Sequence, residues 1–146
     1  MIDLIHLSTS VLLGLFAGSL LTEGAVLVPY WRRMDPAEFF RLHHTMGPNL
    51  FRYFAPLTVI AVMSGMLGAL VALGTSWLWN ITAGICVATL AIFFIYFKDA
   101  NQSFADKSLA EADLADELRR WASWHWFRTA LIILAFAISV LANANS

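Results

Sequence analysis

Charged residues are scarce in this sequence. Asp, Glu, Lys and Arg make up 13% of its 146 residues, whereas a soluble domain carries about a quarter. The formal net charge is only -1, so the chain lacks the basic field that nucleic-acid binding requires, and nucleic acid is excluded as a partner. Cysteine is nearly absent as well, because Cys86 is the single one and has no partner for an internal disulfide.

Apolar residues, by contrast, make up 60% of the chain and fall into four long runs. A helix that crosses a bilayer needs about 20 mostly apolar residues, and each run is about that long. The sequence therefore predicts an all-α integral membrane protein, a four-transmembrane-helix bundle in contact with the lipid bilayer. The predicted spans of this single domain, residues 1–146, are 4–28, 50–73, 77–97 and 124–141.

A short interfacial helix is predicted after the first span. Asp35 is a suitable N-cap, and Pro36 suits the first helical position. The dipeptide Gly47-Pro48 is typical of a helix end. The pattern therefore predicts a separate helix over residues 36–46, ahead of the second span.

Positive charge is confined to one side of the predicted bundle. All nine Lys and Arg lie in or beside the two longer connections. Neither terminus carries one, nor does the short predicted turn at residues 74–76. Because Lys and Arg are enriched in cytoplasmic loops, we predict that the long connections face the cytoplasm and that both termini lie outside. The expected location is a bacterial inner membrane.

One ionisable residue, Glu23, lies inside a predicted span. It stands five residues before the end of the first run, roughly 8 Å below the membrane boundary at 1.5 Å per residue. An acid at that depth is costly unless it is paired, neutralised or facing water. Two interpretations stay open: an ion pair with Arg128 or Arg52 that holds the helices in register, or a functional group.

A polar face is predicted at the start of the fourth span. Spacings of four and three residues place Trp121, His125 and Arg128 along one side of that helix. The topology brings this face to the same depth as Glu23, and Asn101 follows the third span at that level. The sequence therefore predicts a candidate catalytic site built from Glu23, His125, Arg128 and Asn101.

The chemistry of this site has more than one interpretation. Carboxylate with imidazole binds iron, zinc or copper, and it also transfers protons without any metal. Glu23 and His125 are therefore candidate ligands for iron or copper, or candidate bases that need no cofactor. No HExxH or CxxC motif is present. Trp121 and Trp124 form either an aromatic belt at the headgroups or the floor of a pocket for a flat aromatic molecule.

These segments resemble a known family. Residues 22–31, the Pro56-Leu57-Thr58 start of the second span, Asn101, and the WxxWHxxRT pattern over residues 121–129 are similar to the DUF1772 family of small four-span membrane proteins. This family is grouped with the anthrone oxygenases, and the resemblance runs along nearly the whole chain.

The resemblance implies an oxygenase that acts on an apolar aromatic small molecule. Oxygen would be inserted into an activated carbon of an anthrone-like substrate to give a quinone. Anthrones lose a proton easily, and the resulting anion can meet O2 directly, so a base such as His125 or Glu23 would suffice without a cofactor. Arg128 would stabilise the developing oxyanion.

Two other function classes fit the same residues. One is a non-catalytic structural or partner-binding membrane protein, in which Glu23 and Arg128 simply form an ion pair. The other is a small transporter or metal-handling protein. Such a transporter would form a homo-oligomer, because four spans leave little room for a path across the membrane.

Overall fold

The structure, a computed structural model, describes residues 1–73 and 76–145. That part of the chain is helical apart from short connections and contains no strand. Four helices are long and apolar enough to cross a membrane, which confirms the predicted all-α bundle. They are α1, Ile2–Trp31; α2, Pro36–Val71; α3, Trp77–Ala105; and α4, Glu111–Ala144. Of the predicted turn at residues 74–76, Gly74 and Thr75 lie outside the described residues.

Two of these helices contain a π-helical turn. Helix α1 is α-helical over Ile2–Thr22, π-helical over Glu23–Leu27 and α-helical again over Val28–Trp31. Helix α3 consists in the same way of Trp77–Ile92, the π turn Phe93–Phe97, and Lys98–Ala105. A π turn adds one residue to a helical turn and is frequent at functional sites. Nothing in the apolar periodicity predicted either turn.

Helix α2 is longer than predicted. Asp35 caps it as expected, because its carboxylate accepts a backbone N–H of the first turn at 3.0 Å. The helix does not end at Gly47-Pro48, however, but continues through Pro56 to Val71. The predicted interfacial helix is therefore not a separate element and forms the first turns of α2. A helix broken inside a bilayer would leave polar backbone groups without water, so the chain stays helical through both prolines.

Helices α3 and α4 extend beyond the predicted spans at their loop ends. Helix α3 continues past residue 97 to Ala105, and α4 begins with a 3-10 turn over Glu111–Asp113 before its α-helical part, Leu114–Ala144. Lys107, in the connection between them, has a positive φ of 58°. The extensions matter because they place Asn101 and Trp121 on facing helices.

The four helices form a ring in which each contacts its two sequence neighbours, with α4 closing onto α1. At one end, His6 Nε2 of α1 lies 3.1 Å from the Gly68 carbonyl oxygen near the end of α2. At the same end, Ser10 donates to Ser139 of α4 at 2.8 Å. Rings near the start of α2 pack on rings near the end of α3 at the other end. The termini therefore share one end, and the two longer connections share the other.

Large apolar side chains cover the outside of the bundle as well as its core. Leu4, Leu70 and Ile95 are each more than three-fifths exposed, with values of 67%, 61% and 71%. A soluble protein rarely exposes so much apolar surface, whereas lipid tails solvate it. Inside, one core cluster centres on Phe16 and Leu20, and a second at the loop end centres on Phe97.

Candidate functional site

The predicted acid, imidazole and guanidinium meet where α1 packs against α4. Oε2 of Glu23 lies 3.5 Å from Arg128 Nη2 and 3.6 Å from His125 Nδ1. Glu23 and Arg128 are only 7% and 11% exposed in their side chains. Of the two arginines that the sequence offered as partners, Arg128 is the one that reaches Glu23, and Arg52 is exposed on α2.

Both ring nitrogens of His125 have partners. Nε2 lies 2.9 Å from the carbonyl oxygen of Leu20, and because a carbonyl only accepts, Nε2 carries the proton. Nδ1 then accepts a hydrogen bond from Arg128 Nη2 at 2.9 Å. His125 is fully buried and lines neither of the two cavities described below. It therefore orients Arg128 and joins α4 to α1, and of the two predicted bases only Glu23 borders these cavities.

The geometry at Glu23 and His125 does not fit a metal ion. The Nδ1 lone pair, which would bind the metal, accepts from a guanidinium whose positive charge opposes a cation at the same place. A metal site in a protein normally takes at least three side-chain ligands. Over residues 1–73 and 76–145, no group of three or more His, Cys, Asp or Glu is placed to hold a metal. The iron or copper hypothesis therefore gains no support from these two residues.

A cavity of about 660 Å³, called here the inner cavity, lies between α2 and α3 and reaches Glu23 and Arg128. Small-molecule sites typically measure roughly 300–1,000 Å³ and are lined mainly by apolar and aromatic groups. The inner cavity has that character. Its aromatic lining includes Phe51, Phe54, Phe93 and Phe94.

Asn101 and Trp121, both predicted from the sequence, line the inner cavity. The Trp121 indole N–H donates to Asn101 Oδ1 at 2.9 Å. The Trp121 ring stacks on His125, with centroids 5.0 Å apart. The guanidinium carbon of Arg128 lies 4.1 Å from the ring centroid of Phe97, in the π turn of α3. The site is therefore one connected set of contacts between α1, α3 and α4.

Trp124, the other tryptophan proposed for a pocket floor, lines neither cavity. Three residues after Trp121, it lies about 60° around the helix, where it stacks on Tyr96 with centroids 5.5 Å apart. Of the two tryptophans predicted for a pocket floor, Trp121 lies in the wall of the inner cavity and Trp124 does not.

His43, which the sequence places at the level of the predicted site and favours as a capping or interfacial residue, lines the inner cavity. Its Nδ1 donates to the Phe39 carbonyl oxygen at 3.2 Å, so Nε2 carries a lone pair. No hydrogen bond to Nε2 occurs among the residues that the structure describes. In one continuous helix, the four-residue spacing of Phe39, His43 and Gly47 places all three on the same face. The prediction that the helix ends before Gly47 concealed this shared face.

A second and more open cavity, of about 870 Å³, runs along the outside of α1. It is called here the outer groove. Its α1 lining extends from Leu7 to Leu27 and is mostly apolar. Glu23, Leu50 and Phe54 line both the outer groove and the inner cavity. Glu23 therefore borders both cavities, together with the two apolar side chains that the cavities share.

Gly24 allows α1 and α4 to approach each other at the site. A Cβ at this position would lie 3.0 Å from His125 Nε2 and 3.1 Å from Trp126 Cζ2. Because His125 is fully buried and held at both nitrogens, we expect Gly24→Ala to lower the free energy of unfolding by about 1–3 kcal/mol. Thermal unfolding in mild detergent measures this loss.

The matched control for that substitution is Gly18→Ala, six residues earlier in the same helix. A Cβ at Gly18 meets nothing within 4 Å. Since alanine is the better helix former, this variant is expected to be neutral or stabilising by up to about 1 kcal/mol. Equal melting temperatures for the two variants would contradict the close approach at Gly24.

Comparisons of the chain with protein-family models, with curated proteins and with solved structures find no significant match. The resemblance to the DUF1772 family therefore stays a prediction that rests on sequence motifs.

Proposed function

We propose that this protein binds a flat, apolar aromatic molecule in the inner cavity and oxidises it with molecular oxygen, in the manner of the anthrone oxygenases. The observation that supports this proposal is the composition of the inner cavity. Its walls are largely apolar and aromatic, yet a buried carboxylate and a buried guanidinium, Glu23 and Arg128, meet there.

The proposed reaction needs a base and a group that holds negative charge. Glu23 takes one proton from the activated CH2 of an anthrone-like substrate, and the electron pair spreads onto the carbonyl oxygen. Arg128 donates hydrogen bonds to that oxyanion. The carbanion then reduces O2. Overall, two C–H bonds are replaced by one C=O bond, and the two atoms of O2 end in the quinone and in one water molecule.

The same proposal includes an orientation in the membrane. All nine Lys and Arg fall at or near the loop end of the bundle, so we place that end in the cytoplasm and the termini outside, in a bacterial inner membrane. The inner cavity then faces the cytoplasmic leaflet, from which an apolar substrate would enter.

Filling the inner cavity tests the proposal directly. Gly47 lines this cavity, and a Cβ there meets nothing within 4 Å beyond its chain neighbours, so Gly47→Phe adds a ring at the cavity wall. Because a side chain before Pro48 is disfavoured in a helix, thermal unfolding of the variant is measured alongside. We expect it to weaken anthraquinone binding and to lower anthrone oxidation, each by at least about tenfold, since a filled pocket loses most of the buried ligand surface. Binding is measured by quenching of tryptophan fluorescence, and turnover by quinone absorbance.

The control is Gly84→Phe. Gly84 lies in α3, lines neither cavity, and also has open space at its Cβ. This variant is expected to bind and turn over like the wild type. If Gly47→Phe and Gly84→Phe behave alike, or if the wild type does not accelerate anthrone oxidation above a protein-free sample, the proposal fails.

A structural role is the second candidate function. The Glu23 and Arg128 side chains are both largely buried and join α1 to α4, as an ion pair that sets helix register would. A transporter has less support, because the inner cavity extends only as far as Val59 and Leu90 toward the terminal end. A path across the membrane would then require several copies of the chain.

A further inference from the structure

The inner cavity has a polar end that the proposed reaction does not use. Lys98, Asn101 and Gln102 line it at spacings of three and four residues, on one face of the last part of α3. All three are exposed. Because α3 continues as a helix past its apolar span, this face forms the end of the cavity nearest the loops. The cavity therefore runs from an apolar region in the bilayer to a polar region at its boundary.

The charge in the cavity wall is unbalanced. Glu23 and Arg128 offset each other, whereas Lys98 makes no ion pair within residues 1–73 and 76–145. Asn101 uses its amide oxygen to accept from Trp121, so its NH2 group is left to donate. The polar end thus offers a positive charge and amide donors, which is the complement of a carboxylate.

The cavity opens sideways, toward lipid. Phe51, Val59 and Phe94 line it and are at the same time 62%, 53% and 62% exposed. These side chains belong to the facing helices α2 and α3. A ligand dissolved in the bilayer can therefore enter between the two helices, with its polar group at the membrane boundary.

We infer that the ligand of this cavity is a membrane-dissolved aromatic carboxylate, whose carboxylate binds Lys98 and Asn101 while its ring system extends inward to Glu23. The inference rests on the proposed function for its aromatic part. Phe97, which contacts Arg128, precedes Asn101 by four residues, or roughly 6 Å along the helix. The carboxylate and the reacting carbon of the substrate are therefore separated by about one fused ring or more.

The test compares two probes of the same size that the protein does not oxidise. One is 2-anthracenecarboxylate, and the other is its uncharged amide, 2-anthracenecarboxamide. Their dissociation constants are measured by energy transfer from tryptophan to the anthracene ring, with the full chain in a neutral detergent. We expect the carboxylate to bind the wild type about tenfold more tightly than the amide, because a charge-assisted hydrogen bond is about twice as strong as a neutral one.

Two lysine variants identify the source of the preference. Lys98→Met is expected to reduce the carboxylate-to-amide ratio to about one. The other lysine, Lys107, lies in the connection after α3 and lines neither cavity. Lys107→Met removes the same charge from the chain and is expected to keep the tenfold preference.

The outcomes separate this inference from the proposed oxidation. Equal binding of both probes by the wild type, failure of both to bind, or a preference that survives Lys98→Met would each overturn the carboxylate inference. Anthrone turnover in such a protein would leave the oxidation standing. A Lys98-dependent preference without any turnover would keep the carboxylate site and reject the oxidation.

Discussion

Glu23→Gln is expected to lower the kcat of anthrone oxidation by about 10²–10⁴-fold, the usual contribution of a general base. Glutamine has nearly the same shape but cannot take up a proton. Binding of anthraquinone, which has no proton to lose, is therefore expected to change by only about two- to threefold. Oxygen uptake and quinone absorbance, followed together under single-turnover conditions, separate the chemical step from binding.

Glu117→Gln is the matched control for this prediction. Glu117 is also a buried glutamate of the loop end, but it accepts a hydrogen bond from Tyr96 at 2.7 Å, pairs with Arg120, and lines neither cavity. Its substitution is expected to leave the rate unchanged. Full activity in Glu23→Gln would remove Glu23 from the mechanism, and an equal loss in both variants would point to a general loss of structure.

Arg128→Met is expected to reduce the free energy of unfolding by about 3 kcal/mol or more, because it leaves the Glu23 carboxylate buried without its partner. It also removes the guanidinium N–H group that donates a hydrogen bond to His125 Nδ1. Thermal or denaturant-induced unfolding in detergent measures the loss. Arg119→Met is the control, since Arg119 pairs with Asp116 on an exposed surface, and loss of such a pair costs at most about 1 kcal/mol.

The double variant Glu23→Gln/Arg128→Met distinguishes the two candidate functions. It buries no unpaired charge, so we expect it to regain most of the stability that Arg128→Met loses. Under the proposed oxidation, it stays inactive although it is folded. A charge swap, Glu23→Arg with Arg128→Glu, adds a second arm: recovered stability together with unchanged anthrone oxidation would favour a purely structural ion pair.

The bundle and the meeting of Glu23 with the polar face of α4 were predictable from the sequence because residue counts and helical spacing determine both, whereas the choice between Arg128 and Arg52 stayed open. Four apolar runs of sufficient length leave a helical bundle as the main solution in a bilayer. Counting residues from the end of the first run gave the depth of Glu23, and helical spacing placed His125 and Arg128 on one face. These arguments need no knowledge of how individual side chains pack.

The remaining features depend on three-dimensional contacts and were not predictable in the same way. Gly47-Pro48 ends helices in water, but a bilayer penalises exposed backbone more than it penalises a missing donor. The engagement of both His125 nitrogens depends on which carbonyl α1 presents to α4. Trp124 points about 60° away from Trp121 around the helix axis, which places it beside Tyr96 and away from the cavity. Residue spacing alone does not show which of two side chains so close in direction faces a cavity.

The π turns have a consequence for insertions and deletions. Each one takes up one extra residue within a single turn. In α1, the part before the π turn therefore stays in register with the core, and Trp31 after it stays packed against Trp121. Removing a single residue from Glu23–Leu27 would leave a regular helical turn and keep both parts of α1 in place, whereas adding one more residue there would turn everything that follows by about 100°. Trp31 would then leave the cavity wall with no change in its own identity. Across the membrane-spanning part of this chain, spacing at the two π turns is as much a determinant of the site as the residues that line it.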